Sequence, residues 1–223
     1  MKKIFEILLM LTITNTLVEA IPLKPRIYYV EPTKVYFWYD LTEIDPKSCE
    51  VLDSCYAKDK DHVYYEGKKI DGVNPKDFVR LSADGYARDK THVYAFGKRL
   101  PDANIEKFEI LKEGWSKDDA KVYWCGDVLE SADPATFIVF NNRFAKDKNH
   151  VYFWGKIING ADGASFQSLG EYTGKDKHNV YMNDQKIAGA DVGTFRTLDS
   201  YYSVDKNYVY YYEKVIKIGR AHV

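Results

Sequence analysis

The sequence predicts an all-β protein: tandem repeats of about 29 residues, each made of short antiparallel hairpins plus one helical turn, stacked into an elongated, solenoid-like array. Three observations predict it. Val-Tyr pairs stand at Val35-Tyr36, Val63-Tyr64, Val93-Tyr94, Val122-Tyr123, Val151-Tyr152, Val180-Tyr181 and Val209-Tyr210, with steps of 28, 30, 29, 29, 29 and 29 residues. Tyrosine is used 19 times, and aromatic and β-branched residues in short runs between turn signals favour strands. Finally, Asp, Gly and Phe recur at fixed offsets from each Val-Tyr pair, so the period belongs to a folded unit and not to composition alone.

The chain opens on a segment with the pattern of an export signal. Lys2 and Lys3 precede an apolar run, Ile4 to Ile13, broken only by Glu6 and Thr12, and Val18-Glu19-Ala20 suits a signal peptidase. Residues 1–20 are therefore expected to be a signal peptide, and no cysteine follows them to carry a lipid anchor. Residues 21–54 read as a degenerate first repeat or cap, and 55–217 as the repeat region. Residues 218–223, Ile-Gly-Arg-Ala-His-Val, resemble the translation of a common sequencing adapter, so a scar and a repeat region cut short at its C-terminus are expected. Loss of a polar end cap predicts an open edge and low solubility.

In register, one unit reads Tyr-Ala-Lys-Asp-Lys-x-His-Val-Tyr-Tyr-x-Gly-Lys-x-Ile-x-Gly-Ala-Asp-x-x-x-Phe-x-x-Leu; Tyr56 to Leu81 and Phe144 to Leu169 are clear copies. Asp59, Asp89, Asp118, Asp147, Asp176 and Asp205 precede the Val-Tyr strand, where an aspartate caps a tight turn through the N–H groups that follow it. Gly67, Gly97, Gly126 and Gly155 supply positive φ for a second hairpin, and Asp184 takes that place in the next copy. Asp45-Pro46, Asn74-Pro75 and Asp133-Pro134 pair an N-cap with a proline suited to the first helical position. Phe78, Phe108, Phe137, Phe166 or Phe195 follows one turn later, to enter the core. A single unit has too few apolar groups to offset the ordering of its backbone, so copies must share a core.

The run Asp205-Lys206-Asn207-Tyr208-Val209-Tyr210-Tyr211 resembles the motif of the DKNYY family, repeat proteins of bacterial envelopes and secretomes, over about residues 28 to 217. The resemblance implies an exported protein and carries no catalytic residue with it. The first copy departs from the pattern: Asp-Lys is missing before Val35, and Cys49 stands where the Phe belongs.

Net charge is −1, with lysine and aspartate interspersed, and nothing forms a basic stripe for nucleic acid. Gly-x-Ser-x-Gly, His-Glu-x-x-His and phosphate-loop motifs are missing, and the carboxylates recur as turn and cap residues. No enzyme activity, cofactor, metal site or membrane span after signal cleavage is expected. Calcium at the repeated aspartates is disfavoured by their flanking lysines. His62 and His92 occupy equivalent places and could approach each other as a metal pair, but Lys121, Asn179 and Tyr208 hold the same position elsewhere, which marks a tolerant turn exit. Cys49 and Cys55 invite a disulfide in an oxidising compartment, yet six extended residues span about 20 Å. Their pairing stays open at this level, and Cys125 reads as a free thiol.

The hairpin-tip position varies, as Trp38, Glu66, Phe96, Cys125, Trp154, Asn183 and Tyr212, whereas the tyrosine after each valine is constant and reads as a packed ladder. Exposed rings at Trp38, Phe96, Trp154 and Tyr212 are the candidate ligand contacts, suited to sugar faces, cations or partner surfaces. The expected function is a non-catalytic scaffold or protein-interaction module of the cell envelope, in the periplasm, on the surface or secreted, with an envelope protein as partner. The alternative is binding of cell-wall or other polysaccharide through these tips.

Overall fold

The computed structural model describes residues 25–82, 85–112 and 114–216. The signal-like segment, Lys217 and residues 218–223 lie outside them. Seven small antiparallel sheets follow one another along the chain. Sheet 1 has three strands, Tyr28–Val30, Val35–Phe37 and Asp40–Leu41. Sheet 2 has four, Glu50–Val51, Tyr56–Lys58, Val63–Tyr65 and Lys68–Ile70, paired in sequence order. Sheets 3 to 7 repeat that meander between residues 79–99, 109–128, 138–157, 167–186 and 196–216.

Period-two alternation explains the Val-Tyr doublet. In sheet 2, Tyr56 faces Tyr65 and Ala57 faces Tyr64 across the second and third strands. Tyr56 and Val63 therefore share one face, which we call forward, while Ala57 and Tyr64 share the back face. Each face enters a different core: Ala57 and Tyr64 join Tyr28, Val35 and Phe37 of sheet 1, whereas Tyr56 and Val63 join Ala87 and Tyr94 of sheet 3. The same exchange recurs along the chain, giving six clusters that each join a sheet to its successor among the described residues. A sheet buried on both faces needs apolar residues in consecutive positions, and Val-Tyr supplies them.

The recurrent phenylalanine fills the space between sheets. Phe78 lies 5.4 Å from Tyr56 of its own unit and 5.7 Å from Tyr94 of the next, and Phe137 stands 5.6 Å from both Trp115 and Tyr152. The tyrosine ladder is thus interleaved with phenylalanines. Room for them comes from a small residue at the centre of each second strand: Ala57, Ala87, Ser116, Ala145, Gly174 and Ser203. A Cβ at Gly174 would meet the Phe166 ring. Cys49 takes the phenylalanine position in the first unit and packs on the sheet 1 core, as its register predicted.

The expected helical turn is one hydrogen-bonded turn. Ser48 N–H donates to the Asp45 carbonyl at 3.2 Å and Thr136 N–H to that of Asp133 at 3.2 Å; Phe166 and Phe195 N–H reach one residue further, to Asp162 and Asp191, at 3.0 Å. No described residue is helical. With strands crowding both sides, the segment is too short to repay helix nucleation, and the aspartate-capped turn alone delivers the phenylalanine. Cys49, Cys55 and Cys125 are all free thiols, which answers the question of a Cys49–Cys55 bridge.

Candidate functional site at the hairpin tips

The repeated aspartate is the joint that fixes each sheet to its predecessor. Asp147 is 1% exposed, yet its carboxylate meets four donors. Oδ1 accepts from the N–H groups of Asn149 and His150, both at 2.7 Å, and Oδ2 accepts from the Tyr152 hydroxyl at 3.0 Å and the Asp133 N–H of the preceding unit at 3.0 Å. Asp59, Asp118, Asp176 and Asp205 repeat all four contacts. Donors already fill the positions a cation would need, which supports turn capping over calcium binding. In three units the lysine after the aspartate reaches back instead: Lys148, Lys177 and Lys206 pair with Asp133, Asp162 and Asp191 at 3.0, 2.7 and 2.7 Å. His62, His92 and His150 each lie beside their own aspartate, with Nδ1 3.9, 3.6 and 3.5 Å from Oδ1 of Asp59, Asp89 and Asp147.

Burial alone would push the Asp147 carboxyl up, but the N–H groups of Asp133, His150 and Asn149 and the Tyr152 hydroxyl outweigh it and hold the group below the ordinary carboxylate range. Asp59, Asp89, Asp118, Asp176 and Asp205 are depressed by the same balance. The paired tyrosines move the other way. Burial first and then the hydrogen bond to Asp176 push Tyr181 up to about 12, and Tyr64, Tyr94, Tyr123, Tyr152 and Tyr210 are raised further. Depressed aspartates contribute stability above their unfolded pKa of about 4 and lose it as pH falls through the folded value. Raised tyrosines contribute stability below about 10 and lose it as pH climbs towards the folded value. Thermal unfolding followed by circular dichroism should therefore give a plateau from about pH 5 to 9 with a fall on each side.

These joints hold the hairpin tips along one edge of the stack. At each tip the first corner residue has left-handed backbone, with φ of 59° at Trp38, 48° at Glu66, 52° at Phe96, 48° at Cys125, 48° at Trp154, 57° at Asn183 and 53° at Tyr212. Gly67, Gly97, Gly126 and Gly155 follow with φ of 76°, 75°, 86° and 73°, the type I′ geometry that joins adjacent antiparallel strands. Asp184 was expected to take the glycine's left-handed place in the sixth hairpin; there Asn183, one residue earlier, is the left-handed corner. Glycine serves a second purpose at Gly97, where an added Cβ would lie 2.7 Å from the Tyr65 Cβ of the sheet before. Left-handed backbone costs an ordinary residue about 1–2 kcal/mol, and asparagine or glycine normally takes the first corner. Tryptophan and phenylalanine there are outliers, and outliers of this kind concentrate at functional sites.

Three consecutive tips share one open groove of 450 Å³. Phe96, Cys125 and Trp154 line it together with Tyr65 and Trp124, and with Cys55, Gly85, Gly114 and Arg143, the residues just before the second strands. Each tip is pinned to its neighbour there: the N–H groups of Phe96, Cys125 and Trp154 donate to the carbonyls of Gly85, Gly114 and Arg143 at 2.8, 2.7 and 2.8 Å. Trp154 is 51% exposed and stacks on Phe153 with centroids 5.5 Å apart. Trp154 also lines a second depression of 300 Å³ with Trp124, Phe153, Lys156 and Asp184. Arg143 ends the groove, its guanidinium 4.2 Å above Tyr172 and bonded to Glu171 at 2.9 Å. Burial and Asp127 push the Cys125 thiol up, and Tyr65 is raised to about 12, chiefly by burial, so both are protonated at neutral pH. The groove offers ring faces, the thiols of Cys55 and Cys125, glycine backbone, Asn142 and one charge-paired guanidinium.

Of the four candidate contacts read from the sequence, the structure brings Phe96 and Trp154 together in this groove. Trp38 is exposed on sheet 1, 5.2 Å from Tyr39, and Tyr212 packs 5.5 Å from Tyr201 and 4.8 Å from Tyr211 on sheet 7. The walls at Cys55, Gly85, Gly114 and Arg143 were missed, because that position varies in the sequence and gains its role only from the N–H bond of the tip. No curated protein and no solved structure matches the chain. A sequence model of the DKNYY family matches it over residues 26–156, 144–195 and 174–221, and each match falls on the sheets and aspartate joints described above. The chain belongs to the DKNYY family.

Proposed function

We propose that this is an exported, non-catalytic interaction module of the bacterial cell envelope, and that the hairpin-tip groove is where it holds its partner. One observation carries the reading: Phe96, Cys125 and Trp154 stand on strained left-handed corners of three consecutive sheets and open into one groove. The left-handed corner belongs to every hairpin of the stack, but a half-exposed tryptophan on it at Trp154 leaves a large ring face open to a partner. An extended segment of a protein partner fits a groove that repeats with the sheets. Polysaccharide is the second reading, favoured by the exposed Trp154 face and by Trp124 lining the same groove.

Trp154→Asn and Phe96→Asn separate a binding role from a packing role. Asparagine suits the corner, so Trp154→Asn should unfold at equal or higher urea, by about 0.5–1 kcal/mol, while losing the ligand. Phe96→Asn gains the same relief but gives up the Phe96 contact with Tyr86, so it should lose the ligand with a net loss of stability. Tryptophan fluorescence titrated with soluble peptidoglycan fragments tests the glycan reading. A saturable shift that Trp154→Asn abolishes supports polysaccharide. A silent titration leaves the protein-partner reading, and a loss of stability in Trp154→Asn would show that this tip serves packing.

A further inference from the structure

One junction in the stack is fastened differently from the rest. Between sheets 1 and 2, and at every junction from sheet 3 to sheet 7, the buried aspartate accepts an N–H from the preceding unit, donated by Asp45, Asn104, Asp133, Asp162 and Asp191. Most of those junctions add a second bond between units: the N–H of Lys60, Lys148, Lys177 and Lys206 donates to the hydroxyl of Ser48, Thr136, Ser165 and Thr194 at 3.4, 3.2, 3.1 and 3.1 Å. Between sheets 2 and 3 the described residues form neither bond. Asp89 accepts only from its own unit. Its Oδ1 takes the N–H and hydroxyl of Thr91 at 2.7 and 2.9 Å and the His92 N–H at 2.7 Å, and its Oδ2 takes the Tyr94 hydroxyl at 2.8 Å. Asp77 stands where the serine or threonine hydroxyl belongs and meets Lys90 through an exposed ion pair, Nζ to Oδ1, at 2.9 Å. The one 30-residue step of the repeat, from Val63 to Val93, falls at this same junction.

The opposite edge of the same junction is held. On the tip edge the buried Tyr56 hydroxyl donates to the Gly85 carbonyl at 2.9 Å and accepts from the Gly97 N–H at 3.0 Å, and Arg80 of sheet 3 pairs with Asp53, just before the second strand of sheet 2, at 3.1 Å. Sheets 1 and 2 are bonded on both edges, through the Tyr28 hydroxyl to the Cys55 carbonyl and the Gly67 N–H at 2.9 Å each, and through Asp59 to the Asp45 N–H at 3.2 Å. We propose that the junction between sheets 2 and 3 is a hinge built into the stack, at which sheets 1 and 2 swing together against sheet 3 about the Tyr56 hydroxyl while the aspartate edge opens and closes. Phe78 packs 5.4 Å from Tyr56 and 5.7 Å from Tyr94, so the motion is a rocking of packed faces and not a separation. Cys55 and Tyr65 of sheet 2 and Gly85 and Phe96 of sheet 3 line the tip groove on either side of the pivot, so the swing turns the Tyr65 wall relative to the Phe96 wall. What that turn does for a partner rests on the groove being the binding site; the hinge itself does not.

Nitrogen relaxation dispersion and hydrogen exchange at the backbone amides of the full chain test the hinge without any ligand. Lys76, Asp77, Thr91 and His92 should show motion on the microsecond-to-millisecond scale of hinges, and their counterparts at the next junction, Glu106, Lys107, Ala120 and Lys121, should not. The Asn74 amide should exchange with solvent about tenfold faster than that of Asn104, the factor an ordinary hydrogen bond confers. Tyr56→Phe keeps the ring and removes the pivot, so the motion should spread to Gly97 with far-UV circular dichroism unchanged. Flat dispersion at the four hinge residues overturns the proposal even where Asn74 exchanges fast, because that describes an open amide on a rigid joint. Equal dispersion at both junctions also overturns it, since the flexibility then belongs to the whole stack. So does an Asn74 amide as protected as Asn104, or a Gly97 amide that Tyr56→Phe leaves unmoved. Loss of ligand binding in the tip variants leaves all of these readings untouched, so the two proposals fail separately.

Discussion

Asp147→Ala is expected to lower the stability of the chain by about 4 kcal/mol, a large share of the 5–15 kcal/mol typical of a folded protein. The substitution strands the N–H groups of Asn149, His150 and Asp133 and the Tyr152 hydroxyl, which the carboxylate now satisfies. Each buried donor left without an acceptor costs about 1–3 kcal/mol, with water recovering part of it where the joint opens. Tyr152→Phe removes one donor together with its bond and should cost only about 1.5 kcal/mol. In the Asp147→Ala background the same tyrosine change should cost almost nothing, because the hydroxyl has already lost its acceptor. Urea unfolding of the wild type, the two single variants and the double variant measures this coupling. Additive costs would mean that the aspartate and tyrosine act separately.

The second large effect is expected at Trp115. Its side chain is fully buried between sheets 4 and 5, 5.6 Å from Phe137 and 4.4 Å from Trp124. Trp115→Ala should cost about 3–5 kcal/mol through lost burial and the cavity left behind. The position of the loss matters as much as its size. Each cluster joins only neighbouring sheets, so weakening the junction between sheets 4 and 5 should divide one unfolding transition into two. Trp115→Phe should be far milder, because Phe144 fills the equivalent place in sheet 5 and the Trp115 indole N–H has no partner among the described residues. Calorimetry distinguishes these outcomes: two transitions for alanine, one for phenylalanine.

Much of the fold was legible because its signals are local. Hairpin glycines, the aspartate that caps its own turn and the Val-Tyr doublet act within a few residues, and each recurs with the period. What joins one unit to the next was not legible. The pairing of Asp147 with Tyr152 lies within the motif, but its bond to the Asp133 N–H crosses between units and depends on how sheets stack. The same holds for the small residues at Ala87 and Gly174, whose need for smallness comes from a phenylalanine of the preceding unit, Phe78 and Phe166. The constant tyrosines were read as a ladder of their own kind, whereas Phe78 and Phe137 separate their rungs. At the candidate site, variability at the tips pointed to exposure, which holds for Trp38 and Trp154, while Phe96 and Tyr212 are half-buried. Variability could not show that Phe96 and Trp154 share a groove from which Trp38 and Tyr212 stand apart. That distinction depends on which sheets are neighbours and which way each corner turns.

Each of sheets 4 to 7 is fastened to its predecessor through the buried aspartate, so backbone hydrogen exchange should be slow at Asn104, Asp133, Asp162 and Asp191. These amides lie in turns outside any strand, yet each donates to the aspartate of the next unit, at 2.9, 3.0, 3.0 and 2.8 Å. They should be protected as strongly as the strand amides of sheets 4 and 5, and Asp147→Asn should release Asp133 while leaving Asn104 protected. Exchange of all four at the rate of an unstructured peptide would mean that the aspartates do not join the sheets.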